Sequence, residues 1–221
     1  MGELIFKSNL NQDWINFALI FNIFLTYLLV KINPIRTSRL FNFLNTDLYF
    51  SKHNSERETH YLNPYNIVGT LTILNTICLS FIFYSEKIIY KKTYFFEFCF
   101  LFLFLIIFIV IRYFFETLIT KKGDLWKKIK PLIFKSFTLN LQYAYLCFAL
   151  ILIGFYSKIP SLLLNFIISI TLILWFLSQT RMFLTLFKFL PKEVFYFILY
   201  LCTFKLIPWY CFYLFVLEPR F

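Results

Sequence analysis

Lys205 lies near the middle of a long apolar run, three residues before Pro208. An ionisable group at such a depth is costly in hydrocarbon, so it marks either function or a buried partner. Pro208 adds to the interest, because a proline frees the backbone carbonyl one turn upstream, at Phe204. Lys205 then has three readings: contact with an ion or substrate, a pair with a carboxylate on another helix or subunit, or a side chain that snorkels to the surface. A second set of charges, Glu97, Arg112 and Glu116, occupies an earlier apolar run. Arg112 and Glu116 are four apart, share a helix face and can pair locally or relay a proton. Arg181 closes a further run. His53 and His60, with Glu56 and Glu58 between them, fit no zinc-ligand spacing. No nucleophile motif, phosphate-cradling glycine loop or His-Glu-x-x-His occurs. No catalytic residue, cofactor or metal is therefore expected.

These charges are few because the elements that carry them are overwhelmingly apolar. Of 221 residues, 60% are hydrophobic and 15% charged, and mean hydropathy is +0.72. A soluble domain of this size could not hide so much apolar surface. Six runs, 14–30, 65–84, 94–120, 137–156, 161–180 and 194–217, are close to the ~20 residues that cross a ~30 Å hydrocarbon core. The expected fold is all-α: a single polytopic bundle of about six transmembrane helices. Pro64, Pro131, Pro160 and Pro191 fall just before four of the expected spans, where proline is tolerated.

Two segments between spans have apolar residues at helical spacing among basic ones. They are 34–50, with Arg36, Arg39, Leu40, Phe41, Leu44 and Leu48, and 123–137, with Trp126, Lys127, Lys128, Ile129 and Ile133. Either is an ordinary loop or an interfacial cytoplasmic helix. Arg36, Arg39, Trp126, Lys127 and Lys128 are accordingly candidates for contact with lipid headgroups or a partner. The net charge of +11 belongs to such loops and not to a nucleic-acid surface. Most Lys and Arg collect on one side, in the loops after the first, third and fifth runs. The positive-inside rule puts that side in the cytoplasm and both termini outside it. The five cysteines lie within apolar runs without a Cys-x-x-Cys pair and read as reduced packing residues. No cleavable secretory signal is visible.

The polar residues Thr72, Asn75, Thr76, Asn140, Gln142, Asn165 and Gln179 are expected to hydrogen-bond between helices. Four glycines in the chain, and no Gly-x-x-x-Gly, disfavour a transporter built on broken helices. Three stretches carry a resemblance to a family: NTDLYFS at 45–51, SQTRMF at 178–183 and YLCTFKLIPW at 200–209. On these the chain resembles an uncharacterised family of multi-pass inner-membrane proteins of Bacteroidota, over essentially its whole length. The resemblance implies the bacterial inner membrane as compartment and brings no activity. It also implies that the position of Lys205 is often acidic, so that this chain departs by charge reversal.

The leading expectation is a non-enzymatic inner-membrane subunit or assembly factor in protein export or envelope biogenesis. It would dock on other integral membrane proteins in the bilayer. The alternatives are a small transporter or channel subunit using Lys205, Pro208 and the charges of the third run, and a lipid-binding or lipid-modifying protein.

Overall fold

The computed structural model describes residues 13–41, 63–87, 95–120, 125–157 and 161–189, with side chains described over 14–41, 63–83, 95–111, 134–157, 163 and 166–181. Among the described residues there are six helices and no strand. They are α1 (Asp13–Ile32), α2 (Pro34–Leu40), α3 (Pro64–Lys87), α4 (Phe95–Thr120), α5 (Leu125–Tyr156) and α6 (Ser161–Phe189). In a bilayer every backbone N–H and C=O must be satisfied within the segment, and long apolar helices do this without help from water.

Asparagine and proline set the helix starts. Asn33 has extended backbone (φ −152°) and its side chain accepts from the Arg36 N–H at 3.0 Å, while Pro34 begins α2. Asn63 repeats the device before Pro64, accepting from the Tyr65 N–H at 3.0 Å. The chain therefore turns at 33 and runs straight into a second, short helix.

Among the described residues, three helices are long and apolar enough to cross a membrane: Trp14–Ile32, Pro64–Phe83 and Phe134–Tyr156. Shorter apolar stretches, Phe95–Ile111 and Phe166–Arg181, lie in α4 and α6. The faces these helices turn outward are apolar. Phe17, Ile20 and Tyr27 of α1 are 64%, 63% and 59% exposed, and Phe166 and Phe176 of α6 exceed 60%. Continuous patches of this kind belong against lipid, and the chain is an integral membrane protein.

α3 is the centre of the bundle, packed against α1, α4 and α5, while α6 packs on α5. α1 and α3 are antiparallel, joined by Ile15, Ala18 and Leu19 against Leu79, Ile82 and Phe83. α3 and α5 run parallel, with Gly69 facing Phe137 near one end and Phe83 on Phe155 at the other. Trp14, Phe95 and Phe98 cluster at that second end, where the Tyr156 hydroxyl donates to Asn16 Oδ1 at 2.7 Å. Lipid is as apolar as leucine, so close packing and hydrogen bonds hold these helices together.

Several expected boundaries hold, and two segments differ. The third run matches α4, and the first and second match α1 and α3 to within a few residues. The fifth helix of the structure does not begin at 137. It runs unbroken from Leu125 through Pro131, about 48 Å long at 1.5 Å per residue. The stretch 125–137 is thus the first part of the helix that carries the span Phe134–Tyr156, and not a separate helix. Pro131 sits in the second turn, where it removes the backbone hydrogen bond to the Lys127 carbonyl. The segment from 34 forms a helix only to Leu40 among the described residues, and this helix packs under the bundle with Arg36, Thr37 and Leu40 buried. The sixth run, 194–217, lies outside the described residues.

Candidate functional site

The interior polar groups fall into three clusters, each on a different helix seam. The first joins α1 to α3. Asn22 donates from Nδ2 to the Thr76 hydroxyl at 2.9 Å, and that hydroxyl donates to the Thr72 carbonyl at 2.8 Å. One turn away Asn75 donates to the Ala18 carbonyl at 3.0 Å. Asn22, Thr72, Asn75 and Thr76 are all buried. The amide orientations follow from the network: the Thr76 proton is already committed to Thr72, so Asn22 must present its NH2 there. Each amide oxygen then points elsewhere, and Asn22 Oδ1 and Asn75 Oδ1 are buried without a partner.

The second cluster closes the end of the bundle where α1 stops. α2 inserts Arg36 between rings, 4.0 Å from the centroid of Tyr65 and 5.1 Å from that of Phe134. Its guanidinium donates to Asn66 Oδ1 at 2.9 Å. The planar cation is suited to this place, because it stacks on two aromatic faces while its edge makes hydrogen bonds. Beside it the Thr37 hydroxyl lies 3.1 Å from the Leu29 carbonyl and 3.3 Å from the Tyr65 hydroxyl. Gln142 of α5 donates to the Leu40 carbonyl at 2.8 Å, filling an acceptor that the end of α2 leaves open. Phe41 rests on Tyr145, ring centroids 4.9 Å apart.

The third cluster is a ladder between the antiparallel α5 and α6. Ser136 donates to Gln179 Oε1, and Gln179 and Trp175 both donate to Asn140 Oδ1, each at 2.9 Å. Tyr143 and Ser178 share a hydrogen bond at 3.0 Å. Such bonds contribute about 0.6–2 kcal/mol each in a membrane, so the ladder fixes the register of the pair.

Of the residues singled out by sequence, Arg36 is the main correction. It is 1% exposed, inside the bundle and away from lipid headgroups. The Asn33–Pro34 turn directs α2 beneath α3 and α5, whose Tyr65 and Phe134 rings receive the guanidinium. Arg39 is half-buried on the same helix, and Arg181 is exposed near the matching end of α6. Glu97 is exposed in the first turn of α4, at the opposite end. Arg112 and Glu116 fall within α4, and Trp126, Lys127 and Lys128 within the first turn of α5, but their side chains lie outside the described residues. Lys205, Pro208, His53 and His60 lie wholly outside them.

The expected interhelical residues Asn75, Thr76, Asn140, Gln142 and Gln179 do bond across seams. Thr72 instead donates to its own helix, at Val68. The side chain of Asn165 lies outside the described residues. Sequence reasoning passed over Asn22, Asn66, Ser136, Tyr143 and Trp175. Asn22 could have been found, as a lone amide within an apolar span.

Chemically, the clusters offer amides, hydroxyls and one guanidinium. They can hold helices together and bind small hydrogen-bonding species. Among the described residues no group of three His, Cys, Asp or Glu could hold a metal. One family model matches the chain over residues 15–216, described as a domain of unknown function (DUF4271). No curated protein and no solved structure matches.

Proposed function

The chain belongs to the DUF4271 family, a domain of unknown function that spans its whole membrane bundle, and from that premise we propose that it is a non-enzymatic subunit or assembly factor of a membrane protein complex. The observation that carries this reading is where the polar side chains go. In the α5–α6 ladder and around α2 they bond one helix to the next, which makes a stiff scaffold. The outward faces of α1 and α6 remain broad and apolar, as surfaces that other membrane helices can cover.

Charge orients the scaffold in this reading. Lys31, Arg36, Arg39, Lys135 and Arg181 gather at the α2 end, whereas Glu97 lies at the other. The positive-inside rule makes the α2 end cytoplasmic and both termini periplasmic, in the bacterial inner membrane. Protein export or envelope biogenesis is the process we assign to the complex.

The test is site-directed photocrosslinking in native membranes from Phe166, Ile173 and Phe176 on the outer face of α6, followed by mass spectrometry. A single stoichiometric membrane-protein adduct is expected. Adducts with lipid alone, together with recovery of a monomer in mild detergent, would refute the reading. The two orphaned amide oxygens in the α1–α3 seam favour a second reading, a small transporter or channel subunit. That reading requires solute or ion flux in reconstituted vesicles that Asn22→Leu abolishes.

A further inference from the structure

We infer that the α1–α3 seam is a water-binding site at mid-membrane depth, with Asn22 and Asn75 as its acceptors. This inference stands apart from the subunit reading, since it concerns what the seam binds and not what docks outside.

Asn22 lies close to the midpoint of the span Trp14–Ile32, and Asn75 just beyond that of Pro64–Phe83. Both amides are at most 1% exposed, and the oxygens of both are orphaned. A buried acceptor left unmade is unfavourable, and the low dielectric of a bilayer makes it more so. Rotating either amide cures nothing, because each NH2 already donates across the seam. The two amides are neighbours across the seam: Asn22 reaches Thr76, and Asn75, next to Thr76 on α3, reaches Ala18, one turn before Asn22 on α1. Thr76 Oγ accepts from Asn22 and donates to Thr72, so one lone pair remains. The seam thus presents acceptors and lacks donors.

A species that supplies two donors and accepts in return satisfies this set, and water is the smallest. Buried water typically makes about three hydrogen bonds to groups that would otherwise be unsatisfied. A cation fits less well. The groups that form the seam are neutral amides and hydroxyls, and a bare charge in low dielectric needs a counter-charge.

The experiment uses the full chain in lipid bilayers, labelled with 15N-asparagine and 15N-leucine, and water-selected magnetisation transfer in solid-state NMR. The Asn22 and Asn75 side-chain amide signals are assigned by their loss in Asn22→Leu and Asn75→Leu. Transfer from water to both amides within milliseconds is expected, while the backbone N–H of Leu25 and Leu79, packed in the same helices, stays dark. Absence of transfer to the two amides overturns the site. Thermal unfolding gives an independent readout. A shared water makes each single variant lower Tm and makes the double variant fall by clearly less than the two shifts added together. Additive shifts, or single variants that raise Tm by removing an orphan, overturn the proposal.

Discussion

Gly69→Ala would place a methyl carbon 2.8 Å from Phe137 Cζ and 3.3 Å from Leu141 Cδ2. Carbon atoms pack best at about 3.5–4.0 Å, so the Phe137 ring must retreat by roughly an ångström or the helices must part. Overpacking of this kind costs about 1–3 kcal/mol. Alanine opposes it with about 1 kcal/mol of better helix propensity. The net expectation is a loss of about 0–2 kcal/mol, read as the SDS mole fraction at half-unfolding in mixed micelles by circular dichroism. The decisive comparison is the same substitution in a Phe137→Leu background. Leucine removes the atom that clashes, so Gly69→Ala there becomes neutral or stabilising by up to about 1 kcal/mol. If it stabilises equally in both backgrounds, α3 and α5 do not approach closely at Gly69, and the parallel packing of the pair is wrong.

Arg36→Met should lower stability by about 2–4 kcal/mol, from a lost charged hydrogen bond and two ring contacts. Arg36→Lys should recover little of it, because an ammonium cannot stack as a plane; full rescue by lysine in thermal melts would refute the two-ring arrangement. Asn140→Leu removes the acceptor shared by Trp175 and Gln179 and should cost about 1–3 kcal/mol. Comparing its emission spectrum with that of Asn140→Leu/Trp175→Phe isolates Trp175, which should change environment. Cys78 of α3 is fully buried, so a membrane-permeant maleimide should label it only after SDS unfolding; rapid labelling in intact membranes would show that the bundle opens there.

Among the described residues, helix positions were legible in sequence because a lipid-facing helix needs little more than an unbroken apolar run. Residues 94–120 gave α4 almost to the residue. Pro131 misled, since proline before an apolar run looks like a start, whereas here it lies in the second turn of a continuous helix. Arg36 misled more deeply. A basic residue just past a span normally faces headgroups, and the aromatic rings of Tyr65 and Phe134 that receive it come from distant parts of the chain. No local pattern encodes such a contact. Asn75, Thr76, Asn140 and Gln179 were legible as helix-bonding residues, because an amide in an apolar run has few alternatives. Which helix each one meets was not, since helices of similar hydropathy are interchangeable until packed.

The burial of α2 also implies a schedule. Leu40 waits for Gln142, 102 residues further along the chain, and Arg36 waits for Phe134. At the usual pace of synthesis, about 5–20 residues per second, that interval lasts roughly 5–20 s. During it α1 is already in the bilayer while the final place of Arg36 does not yet exist. Until then the pocket that buries the charge is incomplete, with the Tyr65 ring and the Asn66 amide made and the Phe134 ring still to come. The burial of one arginine is thus completed in two steps, and a chain that stops before α5 would have the first and lack the second.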